Sequence, residues 1–207
     1  MAPLSLTIRL AAAGFVAARL EAQGRAIALP DTLGANFAIA DSARALGSAT
    51  DFDFLNGAWH FTFEWRSPDG TFTPAFMGHW SATKRDSEHH TDQGQDVETA
   101  FVEDEWRPDD PSRAASAGTY TYRAYSSRRH LWAIQGINTA VAAWAPGIAW
   151  GDGANRYLVQ HYGPAIERIR YFAITPTSFL WRADRSEDGG KTWLLDNWTM
   201  QATRIAK

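Results

Sequence analysis

The 207-residue sequence predicts a mainly β fold: an antiparallel barrel of about nine or ten strands, preceded by an N-terminal helical extension. Three observations lead there. From Asp51 to Ile205 the chain runs as short alternating segments punctuated by turn residues, with hardly any helical period. Aromatic residues make up 13% of the chain and ten of them are Trp, which suits a wide aromatic interior or a ring-lined pocket. A sheet of many short meandering strands has two edges, and closing it on itself removes both.

The first 24 residues read as an amphipathic helix. Leu6, Leu10, Ala13, Ala17 and Leu20 recur every three or four positions, with Arg9 and Arg19 off the stripe. The apolar run Leu10 to Ala18 also matches a secretory signal weakly, and it is too short to span a bilayer. The helical reading is preferred, which makes the expected location cytoplasmic. The signal reading would make it secreted or periplasmic. Residues 25–50 read as an irregular arm with one more helical turn from Asp41 to Leu46. The expected organisation is therefore an arm over residues 1–50 and a barrel over 51–207.

In Trp59-His-Phe-Thr-Phe-Glu-Trp-Arg66 the rings alternate strictly with polar residues, the pattern of a half-buried antiparallel strand. Ser67-Pro-Asp-Gly70 reads as a hairpin turn, since Pro sets φ and Gly permits positive φ. Phe72 to Lys84 and Val97 to Trp106 are expected strands, joined by a polar loop from Arg85 to Gln95. Further strands are expected at 119–125, 130–137, 157–162, 167–174, 178–183 and 197–205. Trp144 to Asn155, rich in Gly, Pro and Trp, reads as a strand pair with a wide loop.

Asp51-Phe-Asp-Phe-Leu-Asn-Gly-Ala-Trp59, Ser186-Glu-Asp-Gly-Gly-Lys-Thr-Trp193 and Asn197-Trp-Thr-Met-Gln-Ala-Thr-Arg204 together resemble the opening and closing motifs of the DUF1579-like group, bacterial lipocalin-like proteins of the calycin superfamily. The resemblance covers about residues 51–205 and is specific at its two ends. It implies a lipocalin/calycin-like barrel, with Gly57 and Trp59 on the first strand and Arg204 on the last sealing the floor as guanidinium against indole. This chain carries one residue more between Trp193 and Asn197 than that pattern, which predicts a bulge or a longer turn.

Charge is nearly balanced at −3, so neither nucleic acid nor a membrane is expected as partner. The absence of cysteine excludes disulfides, zinc thiolates and thiol nucleophiles. Asp188-Gly189-Gly190 reads as a turn, its half match to a calcium loop failing at Leu195 where a bidentate Glu is required. Adjacent His89 and His90 point to opposite sides of an extended chain, so no metal is expected.

These readings give the expected function: binding of a small hydrophobic or amphipathic molecule in the barrel mouth. Trp65, Trp80, Trp132, Trp181 and Trp198 are its aromatic candidates, with His161 and Arg170 as polar anchors. The alternative is a cofactor-independent isomerase, cyclase or hydratase acting on a hydrophobic natural product, with His161 as first acid/base candidate and Tyr122 or Glu167 behind it. A second alternative is a haem barrel like the nitrobindins of the same superfamily, with His161 on the iron. No cofactor is expected on the main reading. His161 also reads as a structural histidine, and Arg168 and Arg170 as a solvent face with Ile169 and Tyr171 inward. The N-terminal arm is a candidate lid or homodimer contact.

Overall fold

The structure, a computed structural model, describes residues 47–67, 69–73, 75–110, 119–139 and 142–206. The expected N-terminal helix, and the arm as far as residue 46, lie outside the described residues. So does Pro68 of the expected hairpin turn.

Ten antiparallel strands close into one barrel: β1 (Gly57–Trp65), β2 (Phe76–Asp92), β3 (Gln95–Pro108), β4 (Thr119–Ser126), β5 (Leu131–Asn138), β6 (Ala143–Gly151), β7 (Arg156–Tyr162), β8 (Ala165–Phe172), β9 (Ser178–Ser186) and β10 (Leu194–Arg204). Each strand pairs with its sequence neighbours, and β1 pairs with β10 from Trp59↔Arg204 to Trp65↔Trp198. The alternation of β1 is the cause of its placement. Trp59, Phe61 and Phe63 are buried, while His60 and Thr62 between them are exposed.

The expected loop from Arg85 to Gln95 is instead part of a hairpin. β2 and β3 run on past the barrel as a two-stranded ribbon that turns at Gln93 and Gly94, both at positive φ (51° and 78°). The polar run Asp-Ser-Glu-His-His-Thr-Asp misled the reading because a strand segment exposed on both sides, as Glu88 to Asp92 is, needs no apolar alternation. The expected strand pair at Trp144–Asn155 is one strand, β6, followed by a turn in which Asp152 Oδ1 accepts from the backbone N–H of Ala154 (3.0 Å) and Asn155 (2.7 Å). β10 carries the predicted irregularity: its register against β9 shifts between Leu194 and Trp198, with Asp196 at φ 48°.

Residues 47–56 close one end. The Trp132 indole donates to the Ser48 carbonyl (3.0 Å), the Tyr125 hydroxyl to Gly47 (3.0 Å) and Trp59 Nε1 to Leu55 (2.8 Å), at the end of a 3₁₀ turn over Asp53–Leu55. Phe52 fills the floor. Its ring meets Trp132 edge-on at 5.3 Å and Tyr171 at 5.9 Å. Phe52, Leu55, Trp59 and Trp132 are completely buried, and each contributes on the order of 1.5–3 kcal/mol through apolar burial. Gly57, at φ +120°, lies where a Cβ would come within 2.7 Å of Arg204 Nη1, so only glycine lets the guanidinium cross the floor.

The Asp188-Gly189-Gly190 segment is a turn held by its own side chain. Asp188 Oδ1 accepts from the backbone N–H of Lys191 (3.0 Å) and Thr192 (2.9 Å) and from the Ser186 hydroxyl (2.9 Å). Both glycines sit at positive φ (74° and 94°). These bonds to the charged form hold the Asp188 carboxyl down at about 2. Beyond the turn, Trp193 lies over the guanidinium of Arg168, 3.6 Å from ring centre to carbon.

Candidate functional site

Opposite the floor the barrel holds a cavity of about 720 Å³. One wall is aromatic. Phe63 and Trp65 of β1, Phe76 of β2, Trp106 of β3, Trp181 of β9 and Trp198 of β10 all project inward, each because it shares the inward phase of its strand. Phe63 stacks on Trp106 at 5.8 Å with planes 22° apart, and Trp181 lies 6.4 Å from Trp198. The opposite wall is mixed: Leu158, Gln160 and Tyr162 from β7, with Glu167, Ile169 and Tyr171 from β8.

Two ion pairs face this space. Glu167 Oε1 accepts from Arg185 Nη1 at 2.7 Å, and its Oε2 accepts from Gln160 Nε2 at 2.8 Å. Burial is the largest influence on the Glu167 carboxyl and raises its pKa, against the lowering effect of Gln160 and Arg185. On the far side, Arg123 of β4 pairs with Asp104 of β3, both side chains almost wholly buried, and its Nη2 donates to the Tyr171 hydroxyl at 3.2 Å. Burial pushes the Arg123 pKa down. Among the described residues, Oδ1 of Asp104, Nε of Arg123 and the indole nitrogens of Trp80 and Trp198 are buried without a hydrogen-bond partner.

Trp65, Trp80, Trp181, Trp198 and Glu167 line the cavity. Trp132 faces inward but sits in the floor against Phe52, so it offers no surface to the cavity. His161, Arg170 and Tyr122 are placed elsewhere. On β7 the inward phase belongs to Leu158, Gln160 and Tyr162, which leaves His161 on the outer face with Tyr157 and Val159. Its Nε2 is buried without a partner, and burial lowers its pKa. Arg170 is also outward, its guanidinium 4.4 Å from the Phe172 ring centre. Tyr122 is 39% exposed and lies against Phe101 at 6.2 Å on the outside. Among the described residues no histidine lines the cavity, so a haem iron there would find no imidazole among them.

Asp104, Arg123, Gln160, Tyr162 and Arg185 were not singled out in the sequence. For Arg123 a signal existed: it shares its phase with Thr119, Thr121 and Tyr125, and an arginine on the buried phase of a strand requires a partner. Nothing in the sequence marked Asp104 as that partner.

The fold and cavity define a closed antiparallel β-barrel with an amphipathic interior. Its similarity to known proteins lies in structure. It is similar to the S-type phycobiliprotein lyase CPES from Guillardia theta, with a TM-score of 0.52 and 11% identity over 80% of this chain and 97% of that one. EF1p2_mFAP2b bound to DFHBI aligns with a TM-score of 0.33 and 14% identity over 76% of this chain and 98% of that one. At 11% identity the likeness to the lyase concerns the fold alone. No family model and no curated protein matches the chain.

Proposed function

We propose that this barrel binds a small hydrophobic or amphipathic molecule in its cavity. The observation that carries the proposal is the cavity itself: about 720 Å³, walled on one side by rings and furnished with a few buried polar groups. That combination is the usual make-up of a small-molecule site, with apolar area for affinity and a few polar atoms for orientation. Membership of the DUF1579-like group, resting on the motifs at the two ends of the barrel, belongs to the same proposal.

The test is native mass spectrometry of the protein purified from its own host, before and after denaturation. A mass excess that vanishes on denaturation supports the proposal and identifies the ligand. A bare chain mass, with no uptake of added aromatic probes, ends it.

One observation favours the catalytic alternative. Glu167 lies in the cavity with its pKa raised by burial, as a general acid or base requires. An isomerase, cyclase or hydratase working through Glu167 would be abolished by Glu167→Gln while ligand binding survives. Equal loss of both would argue against it. The proposal also includes a homodimer through the N-terminal arm. Removing residues 1–46 leaves the floor segment intact, and an unchanged solution mass on that removal would rule the arm out as the contact.

A further inference from the structure

We infer that the ligand of this cavity is an uncharged, flat, conjugated molecule with an N–H and a C=O side by side, a lactam-type edge seated on Asp104 and Arg123. This rests on the ligand-binding reading above and deepens it.

The first argument is charge. Only two cationic side chains, Arg123 and Arg185, line the cavity among the described residues. Each already has its own carboxylate: Arg123 has Asp104, and Arg185 has Glu167 at 2.7 Å and Glu187 at 2.5 Å. Among the described residues a ligand carboxylate would find no unpaired cation and would meet the carboxyl groups of Asp104 and Glu167. The site is therefore unsuited to a fatty acid or another organic anion.

The second argument is hydrogen bonding. Beyond their ion pair, Asp104 Oδ1 and Arg123 Nε are buried with no hydrogen-bond partner among the described residues. Trp80 Nε1 is in the same position, and Trp80 lies across from Trp106, two residues along β3 from Asp104. Buried polar atoms are rarely left unpaired, and a purely apolar ligand would leave all three, and Trp198 Nε1 with them, so. The unpaired set is one acceptor and three donors. Its complement is a ligand with a donor for Asp104 and an acceptor for Arg123 or an indole. A cyclic amide offers both without net charge.

The third argument is shape. The wall is made of aromatic rings, with Phe63 and Trp106 nearly parallel and Trp181 and Trp198 tilted by 32°. Such surfaces favour an offset-stacked planar partner over a flexible chain.

The experiment uses the full chain and follows quenching of its tryptophan fluorescence by four probes. Phenanthridinone is a flat tricyclic lactam. Benzocoumarin is its lactone isostere, with the N–H replaced by oxygen. Phenanthrene lacks both groups, and cis-parinaric acid is a conjugated fatty acid. Phenanthridinone should bind about tenfold more tightly than benzocoumarin, the worth of one buried hydrogen bond to a charged acceptor, and more tightly than cis-parinaric acid. The double variant Asp104→Leu, Arg123→Met replaces the pair by apolar groups of similar volume, a change that buried ion pairs often tolerate. It should lose the preference for the lactam over the lactone. Equal binding of lactam and lactone, a preference that persists in the double variant, or tighter binding of cis-parinaric acid would overturn the inference and leave the cavity reading standing. If none of the four binds, both fall. Should the double variant fail to fold, the comparison of the four probes on the unaltered protein decides alone.

Discussion

The guanidinium carbon of Arg204 lies 4.0 Å from the centre of the Trp59 ring, and the two residues face each other across the seam between β1 and β10. The same guanidinium donates to the carbonyls of Asn56 (2.7 Å), Phe54 (2.8 Å) and Pro176 (2.6 Å). One side chain thus ties the last strand to the first, to the floor segment and to the turn before β9. Arg204→Ala should cost about 2–4 kcal/mol, combining a cation–π contact with several charge-assisted hydrogen bonds. Arg204→Lys should recover a minor part, since an ammonium cannot reach three carbonyls while lying flat on the indole. Urea denaturation of both variants measures this. A loss within error for Arg204→Ala would show that the seam holds without it.

Ala143, a half-buried residue at the start of β6, lines the cavity. Ala143→Trp should place a ring in the cavity without crowding the floor. Phenanthrene affinity should fall about tenfold or more while the melting temperature stays within a few degrees, because an ordinary core substitution is avoided. Unchanged affinity would place the binding site elsewhere.

Glu167 gives a pH dependence whose sign follows from burial. Its folded pKa lies above its ordinary value of 4.5, so the folded protein holds a proton that the unfolded chain releases more readily. Its contribution is favourable at low pH and is lost as pH rises from the ordinary value through the folded one. Glu167→Gln, which cannot ionise, should therefore gain stability relative to the unaltered protein between pH 4 and pH 8. Chemical denaturation at the two pH values tests this. A constant difference would mean that Arg185 and Gln160 fully offset the burial.

The Asp188 turn gives the opposite sign. Its folded pKa of about 2 lies below the ordinary 3.8, so its stabilisation is present above the ordinary value and disappears as pH falls through the folded one. Asp188→Ala should lower the melting temperature at neutral pH, with a difference that shrinks toward pH 2. Calcium should not move the melting temperature of the unaltered protein, because the carboxylate oxygens are already occupied by the turn's own donors. A rise with calcium would restore the metal reading of this loop.

The floor was legible in the sequence because it depends on few residues with narrow requirements: a glycine where a guanidinium crosses, an indole beneath it, an arginine on the closing strand. The β10 irregularity was legible as a single extra residue. The β2–β3 ribbon was not, since a polar stretch reads alike as a loop or as a strand segment exposed on both sides. The site was half legible. Trp65, Trp80, Trp181 and Trp198 line the cavity, but the polar anchors were sought on the wrong phase of β7 and β8.

The sequence by itself determined most of the strands and which residues share a face, because the period of two is a local property of extended backbone. Only the tertiary structure decided which face is interior. On β7, Tyr157 through Gln160 are all buried, so burial runs on both sides of the sheet and alternation carries no sign. The pairing of Asp104 with Arg123 was settled there too. It joins two strands whose register comes from closure of the whole barrel, and no local pattern in either strand contains it.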